Sequence, residues 1–211
     1  MIIFWYVLTA VCAYLIGSFN YSIVVSKVFT GDDIRSKGSG NAGSTNMQRA
    51  YGWRAGLITL LVDFMKALVP TLAARLLFTM YLPEHATLAA AIAGFFCAVG
   101  HCFPLYFGFK GGKGVAVGAI MIFMTDPRCF VVALAVFVIL VAITRYVSLG
   151  STMAGVSFPI SYVCLIGAVG ADGIATLCLA TALAVMVLVL HRKNYSRIFK
   201  GTESKISFSK K

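Results

Sequence analysis

Residues 129–144 read CFVVALAVFVILVAIT, sixteen consecutive positions without a charge, a glycine or a proline. A helix that is apolar all round must be surrounded by hydrocarbon, either a large protein core or a bilayer. Runs of the same kind recur through most of the chain. Of its 211 residues, 60% are hydrophobic and 12% are charged, whereas a soluble domain is about half apolar and about a quarter charged. With 18 Lys and Arg and 7 Asp and Glu, too few charged side chains exist to cover that apolar surface in water. The sequence is that of an all-α integral membrane protein, with the bilayer as its solvent.

A crossing takes about 20 apolar residues, fewer where neighbouring helices shield it. Seven transmembrane helices are expected, at roughly 2–28, 54–81, 86–101, 114–126, 129–145, 153–170 and 173–192. The fourth is short, and the loop before it is partly re-entrant on this reading. No internal repeat and no linker divides the chain, so residues 1–211 are expected to form a single membrane domain. The start, MIIFWYVLTAVCAYLIG, lacks a basic segment before its apolar core and reads as a retained helix.

The excess of basic residues is positional. One set of gaps collects Lys27, Arg35, Lys37, Arg49, Arg54, Lys110, Lys113, Arg145 and the cluster from Arg192 onward, and the opposite set holds Arg128 alone. The positive-inside bias then places the N-terminus outside and the C-terminus in the cytoplasm, with anionic lipid headgroups as the partner of the basic residues and no nucleic acid. The six cysteines form no CxxC pair, and most lie inside apolar helices. Neither a disulfide framework nor a metal site is indicated. Inside the second span, Asp63 and Lys66 share a helix face. They either neutralise each other to hold the bundle or support a polar site nearby. Arg75, near the outer end, can snorkel.

All the polar motifs fall on the basic face. The first, GDDIRSKGSGNAGSTNMQRAYGWR at 31–54, is dense in hydroxyl and amide side chains, with glycines that permit close approach to a ligand. A helix start near Thr45 would expose N–H groups to an anion, with Arg49 one turn on. The second, GHCFPLYFGFKGGKGVA at 100–116, offers consecutive glycines whose amides can converge on an anion, flanked by Lys110 and Lys113. The same lysines would also serve as ordinary membrane anchors. A Walker P-loop is excluded, because its first glycine falls on Phe107 and its Ser/Thr on Gly114. The third, RYVSLGS at 145–151, is a short loop offering Ser148 and Ser151, and the fourth, HRKNYSRIFKGTESK, places His191 and Asn194 on one helix face ahead of Glu203. Four such loops on one face suit more than one phosphate.

The combination of SGNAGSTN, GHCFP…FKGGKGVA and HRxN…R…GTE resembles the bacterial acyl-phosphate:glycerol-3-phosphate acyltransferases over nearly the whole chain. The resemblance implies a seven-helix enzyme of the inner membrane, with no metal and no cofactor. It would acylate the 1-hydroxyl of sn-glycerol 3-phosphate from acyl phosphate, releasing lysophosphatidic acid and inorganic phosphate in the first step of phospholipid synthesis. It implies coupling to the acyltransferase that makes acyl phosphate. By position it places Ser39, Arg49, Lys113, His191 and Asn194 around glycerol 3-phosphate as the catalytic set. It places Thr45, Gly111, Gly112 and Ser148 around the acyl phosphate, with Asn41, Asn46, His101, Lys110 and Glu203 at further motif positions. Asn20 stands where the family usually has proline and Ala67 where it usually has glycine. The histidine-plus-aspartate dyad of soluble-type glycerolipid acyltransferases is absent, since the residues five beyond His85, His101 and His191 are Ala90, Tyr106 and Ser196. A substrate phosphate oxygen is then the expected proton acceptor, or else His101 or His191. The rival class is an organic-phosphate transporter, whose sites lie at mid-membrane between repeated halves.

Overall fold

The computed structural model describes residues 1–206, and every regular element among them is helical. The chain falls into two compact units, one up to Thr125 and one from Asp126 onward. Six segments are long and apolar enough to cross a membrane: Ile2–Thr30, Trp53–Tyr81, Pro83–Phe107, Pro127–Thr144, Val147–Leu165 and Gly170–Leu190. The expected span at 114–126 is the shorter apolar helix Val115–Thr125. Its 11 residues reach about 16 Å, against about 30 Å of hydrocarbon.

The expected first span, 2–28, is broken in two, α1 (Ile2–Ser18) and α2 (Tyr21–Thr30). Asn20 makes the break: its Oδ1 accepts from the Ile23 amide at 3.3 Å and the Ser22 hydroxyl at 2.7 Å, capping α2. An asparagine cap thus starts the new helix where a proline would stop the old one. The Phe19 carbonyl, left outside both helices, accepts from Lys66 Nζ at 3.2 Å.

The first unit continues through α3 (Ser44–Tyr51), α4 (Trp53–Tyr81), α5 (Ala86–Cys102) and α6 (Val115–Thr125). Its centre is α5, against which α1, α4 and α6 all pack. The reason lies in side-chain size. Ala89, Ala90, Ala91 and Ala93 are wholly buried, so the neighbouring backbones approach closely. A Cβ on Gly17 of α1 would strike the Cys97 carbonyl, and one on Gly100 would strike that of Tyr14. The bulky residues face the other way: Leu61, Met65, Val69, Leu72 and Leu76 of α4 are exposed, while Asp63, Lys66 and Ala67 are buried. Arg75 donates to the Met124 carbonyl at the end of α6.

The second unit holds α7 (Pro127–Thr144), α8 (Val147–Leu165), α9 (Gly170–Leu190) and α10 (Arg192–Phe199). Asp126 caps α7 through the Arg128 amide at 2.8 Å, with Pro127 in the first turn. Helix α8 begins at Val147, six residues before the expected 153, so Ser148 and Ser151 sit in its first turns instead of a loop.

Candidate functional site

In the first unit the two glycine-rich motifs are tied together by side chains of the first bonded to backbone carbonyls of the second. Arg35 is the clamp. Its Nε and Nη2 bond the two carboxylate oxygens of Asp33 at 3.0 and 2.7 Å, and its Nη1 donates to the carbonyls of Phe107 and Lys110 at 2.7 and 3.0 Å. The planar guanidinium fork permits this division between carboxylate and backbone. The hydrogen bond from Arg35 holds the Asp33 carboxyl down at about 2, against the opposing effect of burial, so the pair is ionised at neutral pH. Asn41 adds a weaker tie, its Nδ2 lying 3.5 Å from the Gly111 carbonyl. A groove of about 560 Å³ lies at this junction, lined by Arg35, Gly40, Phe107, Gly108, Lys110 and Gly111. Its volume suits a small organic phosphate.

Asn46 shapes the first loop from inside. It is buried, accepts from the Ser39 amide at 2.8 Å, and donates to the carbonyls of Ile34 and Lys37 at 3.2 and 2.9 Å. These bonds occupy its amide, so it orders the loop that presents Ser39. Thr45 and Arg49 lie one turn apart on the exposed face of α3, whose other face buries Asn46 and Met47. Arg49 and Lys110 are exposed and have no carboxylate partner among the described residues. Lys113 is half-buried immediately before α6.

The glycine amides do something other than the sequence implied. Gly111 N–H donates to the Cys102 carbonyl and Gly112 N–H to that of His101, each at 3.0 Å. Both are committed to the chain, so the expected convergence of these two amides on an anion is not what the loop builds. They pin the glycine segment along the end of α5. A Cβ on Gly111 would strike the His101 carbonyl, and one on Gly112 would fall on the His101 imidazole. Glycine is required here by contact with protein. The first turn of α6, just past Lys113, is where N–H groups are left without intrahelical partners.

Beneath that segment lies a buried polar triad. Lys66 Nζ is 2.9 Å from Asp63 Oδ1 and 2.9 Å from His101 Nδ1, and His101 Nδ1 is 3.5 Å from the same carboxylate oxygen. The pair flagged in the second span therefore supports the glycine segment through His101. Sequence could flag two charges three residues apart. It gave no sign that their third partner lay 35 residues further on. The clamp of Arg35 on Asp33 likewise carries no sequence signal, since both residues sit in a charged loop.

In the second unit the residues of two motifs meet on Glu203. Gly201 has φ +68°, a left-handed turn that glycine adopts without strain. That turn reverses the chain after α10 and returns Glu203 to it. The carboxylate accepts from Ser148 Oγ at 3.0 Å, Asn194 Nδ2 at 2.7 Å and Arg197 Nε at 2.6 Å. Burial favours the neutral acid, but the bonds from Asn194, Arg197 and Ser148 outweigh it and hold the carboxyl below its ordinary value. An ionised carboxylate repels phosphate, so Glu203 is an organiser of Ser148, Asn194 and Arg197 and not itself a phosphate ligand. His191, at the junction of α9 and α10, is buried with its Nδ1 at 2.8 Å from the Val187 carbonyl. A carbonyl only accepts, so this Nδ1 carries a proton.

Comparison with known proteins gives concordant matches. The glycerol-3-phosphate acyltransferase family model matches residues 7–201. A glycerol-3-phosphate acyltransferase of Clostridioides difficile is 41% identical, covering 100% of both chains. Two crystal structures of PlsY, an integral membrane glycerol 3-phosphate acyltransferase, superimpose. The glycerol 3-phosphate form has a TM-score of 0.83 at 30% identity, covering 96% of each chain. The lysophosphatidic acid form has 0.79 at 28%, covering 96% of this chain and 95% of that one.

Proposed function

The chain belongs to the glycerol-3-phosphate acyltransferase family, and from that premise we propose that it acylates the 1-hydroxyl of sn-glycerol 3-phosphate with acyl phosphate as donor. The products are lysophosphatidic acid and inorganic phosphate. The hydroxyl oxygen bonds to the acyl carbon, and the bond from that carbon to the phosphate oxygen breaks with its electrons leaving on phosphate. The hydroxyl proton passes to a phosphate oxygen of the substrate. An acyl phosphate arrives activated, so the protein has to neutralise phosphate, align hydroxyl with carbonyl and stabilise the leaving group.

The observation that carries this reading is the clamped pair of glycine-rich loops, which open a polar groove lined by Arg35, Gly40, Lys110 and Gly111. We assign Ser39, Arg49 and Lys113 to glycerol 3-phosphate and Thr45 to the acyl phosphate. In the second unit His191 and Asn194 take the acceptor and Ser148 the donor. Asn41, Asn46 and Glu203 order the loops. Gly111 and Gly112 give the backbone its close path past His101. The whole chain acts as one acyltransferase domain of the bacterial inner membrane, with this chemistry on the cytoplasmic face. It takes its donor from the acyltransferase that makes acyl phosphate.

The short polar loops support phosphate over a nucleotide-bearing leaving group, because none of them carries a nucleotide fingerprint. Purified protein given acyl phosphate or acyl-CoA of matched chain length should make lysophosphatidic acid from acyl phosphate alone, releasing one phosphate per product. Comparable rates from acyl-CoA, or product without stoichiometric phosphate, would overturn the donor assignment.

A further inference from the structure

A buried ion pair is weak evidence for stability, because apolar residues of the same size often do as well. Asp63 and Lys66 lie 10 residues and more into α4, about 15 Å from its start. The cost of keeping them there calls for a use.

The Lys66 ammonium has three N–H donors. Three acceptors surround it: Asp63 Oδ1 at 2.9 Å, the Phe19 carbonyl at 3.2 Å and His101 Nδ1 at 2.9 Å. Two of these can only accept. The third is a ring nitrogen that either accepts or donates according to tautomer. A proton on Nδ1 would set it against the ammonium, donor against donor at 2.9 Å, and the other acceptor in reach, Asp63 Oδ1, is farther at 3.5 Å and already bonded by Lys66 at 2.9 Å. Asp63 and the Phe19 carbonyl take two of the Lys66 hydrogens, which leaves the third for Nδ1. Nδ1 therefore holds the lone pair, and the neutral ring carries its proton on Nε2. The Nε2 edge is the one that abuts Gly112, where an added Cβ would overlap it.

We propose that Asp63 and Lys66 are positioning residues that fix His101 as its Nε2–H tautomer, presenting a hydrogen-bond donor at the glycine segment before Lys113. This rests on the proposal that the segment handles the phosphates of an acyl transfer. It adds that His101 is a donor there and not a base, since its one lone pair is engaged by Lys66. His191 differs at this nitrogen: its Nδ1 faces the Val187 carbonyl and so carries a proton.

The first test needs no variant. The protein has three histidines, and nitrogen-15 imidazole spectra of the purified wild-type protein, assigned with His101→Gln, report each tautomer directly. His101 should show a protonated Nε2 and an unprotonated Nδ1, whereas a protonated Nδ1 overturns the proposal. This outcome stands whether or not acyl phosphate proves to be the donor. The second test is kinetic. The paired change Asp63→Asn with Lys66→Met leaves no orphan charge. It should lower kcat by about tenfold or more, the scale of one hydrogen bond to a charged group, with a smaller change in KM. In a His101→Gln background the amide nitrogen takes the Nε2 place and donates without help from Lys66. There the same pair should cost about twofold or less, within ordinary additivity error. Equal losses in both backgrounds would mean that the pair is structural only.

Discussion

Gly112→Ala tests whether the glycine segment is shaped by ligand or by protein. The new methyl would lie inside the van der Waals envelope of His101, closest to Nε2, then Cε1 at 2.7 Å and Cδ2 at 2.9 Å. His101 cannot simply turn away, because Lys66 holds its Nδ1 at 2.9 Å and the Gly112 amide holds its carbonyl at 3.0 Å. Overpacking of this kind costs about 1–3 kcal/mol. Either escape, ring off Lys66 or loop off the His101 carbonyl, forfeits about 1–3 kcal/mol more. The segment leading to Lys113 then moves, and a displacement of about 1 Å at a reacting group costs about a hundredfold in rate. Gly112→Ala should therefore lower both Tm and acyltransferase activity, read on detergent-purified protein. Added to His101→Ala, where the ring is gone, the same substitution should leave Tm unchanged. A fully active Gly112→Ala protein of normal Tm would refute the contact argument. So would an equal Tm penalty in both backgrounds.

Asn46→Asp should be more damaging than Asn46→Ala. It turns a carboxylate oxygen onto the carbonyls of Ile34 and Lys37 that Nδ2 now serves. A loss of about 2–4 kcal/mol of local stability is expected from its three hydrogen bonds, seen as faster amide exchange across residues 34–46. Arg35→Lys should not rescue Arg35→Gln, because a point charge cannot bond the Asp33 carboxylate and the carbonyls of Phe107 and Lys110 together. Both should reduce kcat/KM for glycerol 3-phosphate by about tenfold or more, since aligning that substrate depends on the clamped loops. Glu203 has a lowered value in the folded chain, so its contribution is complete above the ordinary glutamate range and is lost as pH falls through the folded value. Protection of the Thr202 and Glu203 amides, both bonded to the Arg197 carbonyl, should fall in that acid window. In Glu203→Gln it should be weak throughout and independent of pH there.

Runs such as CFVVALAVFVILVAIT leave no alternative to helices in hydrocarbon. From them the sequence by itself determined the all-helical membrane class and, to within a few residues, α4, α5, α7 and α9. The three ordered motifs determined the family, because that spacing of hydroxyl, amide, glycine and cation is specific over nearly the whole chain. What sequence could not set was how polar groups distant along the chain pair up. Periodicity treats 2–28 as one apolar run, whereas the break comes from one side-chain oxygen of Asn20 finding two donors. Composition makes Gly111 and Gly112 look like an anion nest, whereas folding commits both amides to the carbonyls of α5. Asp63, Lys66 and His101 become one unit because small residues let α4 and α5 pack closely enough to bring Lys66 Nζ to 2.9 Å from Nδ1. Hydrogen-bond partners are chosen by geometry over a few ångströms, and only the tertiary structure supplies it.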